Sequence, residues 1–579
     1  MLSNITACPL DCYDACVISF VDGKLKAIKD GFTNGFLCPH LHHYKKHDLI
    51  LSPRYKGKEI SMQEALEYLE AMLKESSASE VLHYKGNGNF SLMQDVTEHF
   101  FASYGATLLD GSLCDGAGEA GIIEGRGSNK NMPLGEIEKS DVVIFWGRNP
   151  HTTSSHILPM IKNKTIIVID PIKTKIAKKA DLYIQIKPHR DLYLAMLLSR
   201  FLYIYDTHNE NYLEEFASEY EDYHELTQSL RIVPTLDEMT VELSQLEKVL
   251  ELVVGKKVAI VCGVGIQKYL DGADVMRAID AFGVMLGLFG KEGSGVAYLG
   301  SSKEHIVSPF NTDAKRVSKV DTEFSSFKTV FIQGANPLSQ MPDSLRVKES
   351  ISKVKNIVYF GLYENETSEI ADLIIPAKSF LQKSDVRTSY SHDAMNFMPK
   401  QEESRYGISE YDLSAYFCEK FDIKLESEEF YIDHFKSFAQ KDKDGLWQVK
   451  GREEVPYKNG FDTDDKEFLF LDEIDRDIKK DNKLYLLSPK SSSSLNSQFH
   501  REESVYLHSS LGFKEDEKVC ISSANGKVEL SVRFDDDLRE DCVLIYSGTK
   551  GVNNLTSSKH SYEGKSAIYQ ENKVEVTSL

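Results

Sequence analysis

The stretch Cys8-Pro9-Leu10-Asp11-Cys12-Tyr13-Asp14-Ala15-Cys16 is followed by Cys38 in Gly35-Phe36-Leu37-Cys38-Pro39, and these two segments decide how the chain begins to fold. The spacing C-x3-C-x3-C-x21-C places three thiolates on one loop and brings the fourth from a second turn, as is typical of a [4Fe-4S] cluster. Structural zinc sites more often combine two short C-x2-C pairs. The spacing therefore predicts a four-cysteine iron–sulfur site, with zinc and disulfide bonds as the alternatives.

The composition limits the possible partners and compartments. A chain of 579 residues is too long for one hydrophobic core, which indicates about three or four domains or subdomains. The 68 basic and 89 acidic residues give a net charge of -21, which argues against nucleic-acid binding. The apolar stretches are too short or too interrupted for direct membrane insertion. Too few residues precede Cys8 for a secretory signal to fit before it. We therefore expect a cytoplasmic protein with reduced, metal-binding cysteines.

From about residue 80, short β-branched apolar runs alternate with stretches of helical periodicity. This alternation is typical of α/β folds with parallel sheets, whose ligands bind at the carboxyl ends of the strands. The runs are Val81 to Lys85, Asp141 to Trp146, Thr165 to Ile169, Lys257 to Cys262, Thr329 to Gln333 and Asn356 to Phe360. The residues that directly follow these strands are therefore candidates for a binding site.

Four of these strand ends carry glycine or aspartate. They read Gly147-Arg148-Asn149-Pro150, Asp170-Pro171, Gly263-Val264-Gly265 and Gly334-Ala335-Asn336-Pro337. Small residues let a phosphate approach backbone N–H groups, and Asp170 can accept a hydrogen bond from a base or ribose. One such segment alone is better explained as a tight strand-to-helix turn. Two copies of Gly-x-Asn-Pro, however, indicate two related halves that each bind a nucleotide-like group.

The C-terminal part consists of short strand-like runs separated by turn residues. The runs Leu484 to Leu487, Lys518 to Ser522, Lys527 to Arg533 and Val543 to Tyr546 predict a small β-barrel from about residue 481 onward. Residues 420 to 480 are charge-rich and irregular, as in a connector. By composition alone, the serine run at residues 491 to 494 is a flexible linker.

Together, in this order, the motifs resemble the molybdopterin oxidoreductase family, the molybdenum or tungsten enzymes that carry two guanine-dinucleotide pterins. The resemblance covers nearly the whole chain. Besides the cysteine segments, it rests on Gly111-Ser112-Leu113-Cys114-Asp115-Gly116-Ala117-Gly118, Trp146-Gly147-Arg148-Asn149-Pro150, Ile169-Asp170-Pro171, Gly334-Ala335-Asn336-Pro337, Glu366-Thr367 with Ala371-Asp372, and Asn496-Ser497-Gln498. It implies an α/β fold with an N-terminal Fe–S subdomain, two pseudo-related nucleotide-binding domains with parallel sheets, and a C-terminal β-barrel.

The resemblance also implies domain boundaries and cofactors. We expect a [4Fe-4S] subdomain at residues 1–54, one α/β domain at 55–135 with 325–430, and a second at 136–324. A connector at 431–480 and a barrel at 481–579 that closes over the cofactor complete the chain. The implied cofactors are a [4Fe-4S] cluster held by Cys8, Cys12, Cys16 and Cys38, bis-molybdopterin guanine dinucleotide, and Mo or W.

Individual site residues follow from the same resemblance. Cys114 stands where the family has the protein ligand to the metal, and its alternative role is that of a buried structural cysteine. Asp115 and His156 are candidate proton-handling groups. The serine-rich segment Ser488 to Phe499 is similar to the loop by which the barrel closes over the pterins. We favour this role over that of a flexible linker. The implied dinucleotide-binding residues are Gly147, Asn149, Pro150, Asp170, Pro171, Gly263, Gly265, Gly334, Asn336, Pro337, Glu366, Thr367, Asn496, Ser497 and Gln498.

Three positions depart from the family pattern. Many members have Cys-x-Lys, with the lysine between cluster and pterin, where this chain has Cys38-Pro39-His40. The Gly-Thr-Asp that often follows the third strand of the nucleotide domain is His189-Arg190-Asp191 here. Formate-oxidising relatives typically have a histidine directly after the metal ligand, where this chain has Asp115. We therefore expect that formate is not the substrate.

The predicted function is a Mo- or W-dependent two-electron oxidation or reduction of a small substrate. The cluster would pass the electrons to an external redox protein or electron-transfer subunit. Two alternatives stay open: a metal-free electron-transfer or scaffold subunit of a larger redox complex, and a non-redox hydratase on the same cofactor.

Overall fold

The structure is a computed structural model that describes residues 4–29, 32, 35–44, 49–86, 91–474 and 483–579. The chain divides into two compact units. Unit 1 comprises Met1–Asp110, Ser302–Arg452 and Ser492–Arg501, and unit 2 comprises Gly111–Ser301, Glu453–Ser491 and Glu502–Leu579. The finer domain boundaries stay a prediction, and the expected boundary between connector and barrel, at residues 480 and 481, lies outside the described residues.

The strands are numbered along the chain. They are β1 (Ile5–Ala7), β2 (Val17–Val21), β3 (Lys24–Ala27), β4 (Arg54–Tyr55), β5 (Lys58–Glu59), β6 (Val81–Lys85), β7 (Leu108–Asp110), β8 (Val142–Trp146), β9 (Thr165–Ile169), β10 (Leu182–Ile184), β11 (Val258–Cys262), β12 (Gly295–Ala297), β13 (Arg316–Ser318), β14 (Thr329–Gln333), β15 (Asn356–Gly361), β16 (Leu373–Pro376), β17 (Asp385–Thr388), β18 (Met395–Met398), β19 (Ala439–Lys441), β20 (Trp447–Val449), β21 (Leu484–Leu487), β22 (Ser494–Leu495), β23 (Gln498–Phe499), β24 (Ser504–Leu507), β25 (Lys518–Ser522), β26 (Lys527–Phe534), β27 (Cys542–Leu544) and β28 (Lys573–Ser578).

The α-helices are numbered in the same way. They are α1 (Pro39–His43), α2 (Met62–Glu75), α3 (Val96–Tyr104), α4 (Gly116–Arg126), α5 (Asp191–Ile204), α6 (Glu210–Phe216), α7 (Tyr220–Gln228), α8 (Ile232–Met239), α9 (Leu243–Val253), α10 (Gly272–Met285), α11 (Pro337–Gln340), α12 (Ser344–Ile351), α13 (Glu366–Glu369), α14 (Glu410–Lys420) and α15 (Glu428–Lys436). Among the residues that the structure describes, no helix is long and apolar enough to cross a membrane.

Unit 1 contains a six-stranded sheet in the order β5-β4-β16-β15-β14-β6. The four strands from β16 to β6 are parallel, and the short β4–β5 hairpin adds an antiparallel edge. Helices α2, α3 and α14 contribute apolar side chains to the core that covers this sheet. Helix α2 begins at a capping box between Ser61 and Glu64, and its buried residues recur at helical spacing, Leu66, Leu69 and Leu73 among them.

The cysteine segment of unit 1 is an antiparallel meander of β1, β2 and β3. Residues 8 to 16 form the loop between β1 and β2, and Asp22 and Gly23, both with positive φ, form the two-residue turn between β2 and β3. Cys8 and Cys16 belong to a buried apolar cluster that also includes Leu41 and Phe380. Packing therefore fixes the cysteine loop at both of its ends, Cys8 and Cys16.

Unit 2 contains a five-stranded, fully parallel sheet in the order β10-β9-β8-β11-β12. Every residue of β8 and β11 is buried, as expected for central strands covered on both faces. From β8 the chain proceeds to β9 on one side and later to β11 on the other. The carboxyl ends of β8 and β11 therefore form a topological switch point, where α/β sheets bind ligands.

Unit 2 also contains a closed barrel in the order β21-β27-β24-β26-β25-β28, filled by side chains such as Leu486, Val519 and Val543. The sequence did not predict two of its strands, β24 and β28. The predicted α/β fold with parallel sheets and a C-terminal β-barrel is confirmed.

Candidate cofactor-binding and metal-ligating sites

The cysteine loop of unit 1 is closed by backbone hydrogen bonds from Cys8 N to the carbonyl of Cys16 (2.8 Å) and from Cys12 N to the carbonyl of Leu10 (2.8 Å). Burial raises the pKa of the Cys8 thiol to about 12. Burial also raises the pKa of Cys12 and Cys16, and a charge at Cys38 raises it further for all three. Thiols that burial and mutual repulsion hold protonated are suited to a soft cationic metal or cluster, which stabilises the thiolates.

In unit 2, the switch point brings together two predicted glycines, Gly147 after β8 and Gly263 after β11. Gly147 has a positive φ of 62°, and its N–H donates to the carbonyl of Ile169 at 2.8 Å. Gly263 N donates to the carbonyl of Trp146 at 2.8 Å. A Cβ atom on Gly263 would lie only 1.7 Å from the carbonyl oxygen of Gly147. The two chain segments approach so closely that only backbone fits between them.

Unit 1 repeats this arrangement at the carboxyl ends of β6 and β14. Gly334, with φ 55°, donates its N–H to the carbonyl of Phe360 at 2.8 Å, as Gly147 does to the end of its neighbouring strand. Gly86 N donates to the carbonyl of Gln333 at 2.8 Å, and a Cβ atom on Gly86 would lie 2.4 Å from the carbonyl oxygen of Gly334. Gly86 is thus the counterpart of Gly263, and the sequence analysis missed it.

Around the unit 2 glycines, the other predicted residues take different positions. Asn149 accepts from the backbone N–H of His151 at 3.2 Å and so stabilises its own turn, which also buries Pro150. Asp170 is 8% exposed, and burial, followed by the charge of Asp191, raises its pKa to about 7. Pro171 is half-buried, and nothing lies within 4 Å of a Cβ placed on Gly265.

Asn336, in unit 1, is the centre of a buried hydrogen-bond network. Its side-chain amide donates to Glu366 Oε2 at 2.7 Å and to Ser497 Oγ at 3.0 Å, and its Oδ1 accepts from the Thr367 hydroxyl at 2.8 Å. Pro337 begins α11 directly after it. The structure therefore brings four predicted site residues together, although they lie far apart in the sequence.

Glu366 is held in this network by a second partner, Arg501, whose Nη1 donates to Glu366 Oε1 at 2.6 Å. Burial raises the pKa of Glu366, but the hydrogen bonds from Asn336 and Arg501 outweigh it and hold the pKa below its ordinary value. Glu366 therefore stays charged in the network. Arg501 is a second residue that sequence reasoning missed, because it follows the serine-rich segment without a motif of its own.

The part of the serine-rich segment from Ser492 onward belongs to unit 1, where it forms the β22–β23 hairpin. Asn496, with φ 51°, donates to Asp11 Oδ2 in the cysteine loop at 2.8 Å. Two residues on, Gln498 is exposed, while Ser497 contacts Asn336. The hairpin thus links the cysteine loop to the strand-end loop that contains Asn336.

Cys114, in unit 2, lies on a loop that other residues fix from several sides. Its backbone N–H donates to Ser112 Oγ at 2.9 Å, and its carbonyl accepts from Gln267 Nε2 at 2.9 Å. Lys268 Nζ donates to the carbonyl of Leu113 at 3.0 Å. The thiol side chain itself is exposed, which does not fit the alternative of a buried structural cysteine. Helix α4 begins two residues later, and the positive end of its dipole favours a thiolate.

The candidate proton-handling residues occupy distinct positions in unit 2. The carboxylate of Asp115 accepts from the Ser112 hydroxyl at 2.9 Å, so it is oriented beside Cys114. His156 is buried, 1% exposed, in the short turn Ser155–Ile157 after the Gly147 loop. Tyr298 was not predicted: burial and then the charges of Asp115 and Cys114 raise its pKa well above the ordinary value, so it is a neutral phenol near this loop.

Comparison with known families agrees with this fold. A family model of molybdopterin oxidoreductases matches residues 54–404, and a model of the "Molydopterin dinucleotide binding domain" matches residues 484–572. Because the first match alone covers more than half of the chain, the protein belongs to the molybdopterin oxidoreductase family. The resemblance inferred from the motifs is confirmed.

Three similar proteins illustrate the relationship. Probable oxidoreductase YyaE of Bacillus subtilis (strain 168) is 28% identical over 67% of this chain and 64% of its own length. Formate dehydrogenase H of Escherichia coli (strain K12) is 22% identical over 69% of this chain and 65% of its own length. The chain thus spans about two thirds of each of these relatives. The structure of acetylene hydratase from Pelobacter acetylenicus superimposes with a TM-score of 0.80 over 100% of both chains at 13% identity, which supports the fold.

Proposed function

We propose that this protein is a molybdenum- or tungsten-dependent oxidoreductase that exchanges two electrons with a small substrate. The observation that carries the proposal is the exposed Cys114 thiol on a fixed loop at the beginning of α4. When bound, bis-molybdopterin guanine dinucleotide would supply a redox-active Mo or W held by dithiolene sulfurs, to which a thiolate is a suitable further ligand. A scaffold that had lost its metal would have no need for such a thiol.

The loops at the carboxyl ends of the parallel strands, one set in each unit, would each bind one dinucleotide. In each unit, a glycine with positive φ follows a strand of the parallel sheet, and a second glycine leaves no side chain between the two segments, so a ligand could approach the backbone closely there. In unit 2, the buried carboxyl of Asp170 would accept a hydrogen bond from a base or ribose. In unit 1, the network of Asn336, Glu366, Thr367 and Ser497 would position the second group.

We assign Cys8, Cys12, Cys16 and Cys38 to a [4Fe-4S] cluster. The C-x3-C-x3-C-x21-C spacing supports this assignment over zinc. The cluster would pass single electrons to an external redox protein or electron-transfer subunit. We place the reaction in the cytoplasm, because a reducing compartment suits cysteines that bind a metal or cluster as thiolates.

Near Cys114, the chain offers groups that hold or move a proton. The carboxylate of Asp115 is oriented by Ser112 and would accept a proton from a bound substrate or return it. His156, which is buried, would support or orient its neighbours in unit 2. Gln267 and Lys268 hold the backbone of the Cys114 loop and so fix the thiol for its role as a ligand.

The test is the composition of anaerobically purified protein. We expect about four irons per chain with acid-labile sulfide, two pterins, and one Mo or W. Replacing Cys114 with Ala should leave the iron and pterin contents nearly intact, abolish turnover and change the Mo(V) or W(V) EPR signal, because only the metal's nearest ligands change. The matched control Cys520→Ala, in barrel strand β25, should change none of these.

Two results would contradict the proposal. One zinc per chain without sulfide would remove the cluster, and an unchanged EPR signal with full activity in Cys114→Ala would remove the metal ligand. Reduction of a viologen dye by substrate separates the oxidoreductase from a hydratase, because hydration transfers no electrons to an acceptor.

A further inference from the structure

A fully buried arginine of unit 1, Arg387, lies beside the cysteine loop. It is the third residue of β17, it is 0% exposed, and its Nη2 donates to the carbonyl of Leu10, within that loop, at 2.8 Å. Its neighbours along the strand, Val386 and Thr388, are also buried. No sequence motif points to this residue, and it has no role in the function proposed above.

Placing a guanidinium in such a site costs free energy unless negative charge compensates it. Burial lowers the pKa of Arg387, and charges at Cys8, Cys12, Asp11 and Cys16 raise it. The charges that would stabilise this arginine are therefore those of the cysteine loop.

A second buried cation in the same unit shows what the ordinary solution is. Lys383 is 6% exposed and lies just before β17, with its Nζ 2.5 Å from Glu410 Oε2 and 3.8 Å from Asp385 Oδ2. Its charge is balanced by carboxylates of the protein itself. Arg387 donates instead to a backbone carbonyl of the cysteine loop, and the charges that act on it, Asp11 included, belong to that loop.

We propose that Arg387 is a positioning residue for the iron–sulfur cluster: its fixed positive charge balances the cluster's negative charge and raises its reduction potential. A cluster with four thiolate ligands is anionic and gains a further negative charge on reduction. A nearby cation therefore favours the reduced form. The hydrogen bond to Leu10 also fixes the shape of the loop between Cys8 and Cys12.

This role also bears on the departure at His40. Where many family members have a lysine after the fourth cysteine, this chain has a histidine, which carries no fixed charge. Arg387 supplies a fixed cation from a different element, β17, on the side of the loop that contains Cys8 and Leu10. The fixed charge beside the cysteine loop thus comes from a strand about 350 residues from Cys38 in sequence.

The experiment compares the cluster potential in three full-length variants with the wild type, by EPR-monitored redox titration at one pH. Arg387→Gln removes the charge but retains an amide donor for the carbonyl of Leu10. Arg387→Lys retains the charge. Lys26→Gln, a control, removes an exposed cation from β3 of the same cysteine segment. Iron and sulfide are determined for every protein.

We expect Arg387→Gln to disfavour cluster reduction at least tenfold, which corresponds to a shift of about 59 mV toward negative potential for a one-electron couple. Arg387→Lys and Lys26→Gln should stay close to the wild type. An Arg387→Gln protein that contains iron and has the wild-type potential would overturn the inference.

Two further outcomes are also decisive. If Arg387→Gln does not fold, the test is Arg387→Lys, which must bind iron at the wild-type level. A folded Arg387→Lys protein that lacks iron would show that the shape of the arginine side chain matters and not its charge. That result would overturn the inference. The inference rests on the proposed function only in requiring the cluster. Absence of iron and sulfide from the wild type would refute the cluster itself, which distinguishes that failure from a failure of Arg387.

Discussion

Replacing Gly263 with Ala tests whether the close approach of two strand ends builds the dinucleotide site of unit 2. The new Cβ would lie 1.7 Å from the carbonyl oxygen of Gly147 and 2.4 Å from its carbonyl carbon, so backbone must move. Ordinary van der Waals contact needs about 3.4 Å or more, which requires a shift of roughly 1.7 Å at the switch point. That shift would break the 2.8 Å hydrogen bond from Gly263 N to Trp146.

The expected cost is about 3 kcal/mol, because overpacking costs roughly 1 to 3 kcal/mol and the lost backbone hydrogen bond adds about 1 kcal/mol. We expect a lower Tm in scanning calorimetry and a loss of pterin after oxidative release. The matched control is Gly265→Ala, two residues along the same loop, where nothing lies within 4 Å of the new Cβ. If Gly263→Ala retained the pterin content and Tm of Gly265→Ala, this reasoning would be wrong.

Three further predictions follow from the same sites. Burial, with the charge of Asp191, raises the pKa of Asp170 from 3.8 to about 7. The folded protein then holds this proton more tightly than the unfolded chain, so stability falls as pH rises from about 4 to about 7. Asp170→Asn should remove this pH-dependent loss of stability. Relative to the wild type, its free energy of unfolding should be higher by at most about 4 kcal/mol at pH 8 and unchanged at pH 4, as followed by Tm against pH. Thr367→Val should cost about 1 to 3 kcal/mol and lower the pterin content, because Asn336 Oδ1 loses its 2.8 Å donor in a buried site; an unchanged Tm would contradict this. Formate should not reduce a viologen dye, since Asp115 would repel a carboxylate at close range; robust formate oxidation that Asp115→Ala abolishes would refute this.

Six strands of the two parallel sheets could be predicted from sequence because they are largely buried, whereas the shorter β10, β12 and β16 were not predicted. Short, mostly apolar runs that end before a glycine or before Asp-Pro leave little ambiguity, and β6, β9 and β14 have the predicted bounds. Barrel strands are weaker signals, because only alternate residues face the core. β24 and β28, with their mixed polar residues, were therefore missed.

The missed site residues share one physical cause: their roles depend on contacts between distant segments. Gly86 matters because of the carbonyl of Gly334, and Arg501 because of Glu366. Tyr298 matters because its ring packs on Gly118 near the Cys114 loop. The local pattern around each of these residues is ordinary. The cysteine spacing and the repeated Gly-x-Asn-Pro motif differ, because each indicates a binding site from neighbouring residues of the sequence alone.

The two Gly-x-Asn-Pro motifs show how far a repeated sequence determines a repeated site. Their glycines have the same backbone geometry, because each must end a central strand beside a second glycine. Their asparagines do not: Asn149 stabilises its own turn, whereas Asn336 joins Glu366, Thr367 and Ser497 in a buried network. The backbone part of the motif is thus imposed by the parallel sheet, while the asparagine adapts to the segments around it. Of the two asparagines, only Asn336 therefore connects its strand end to the hairpin that also contacts the cysteine loop.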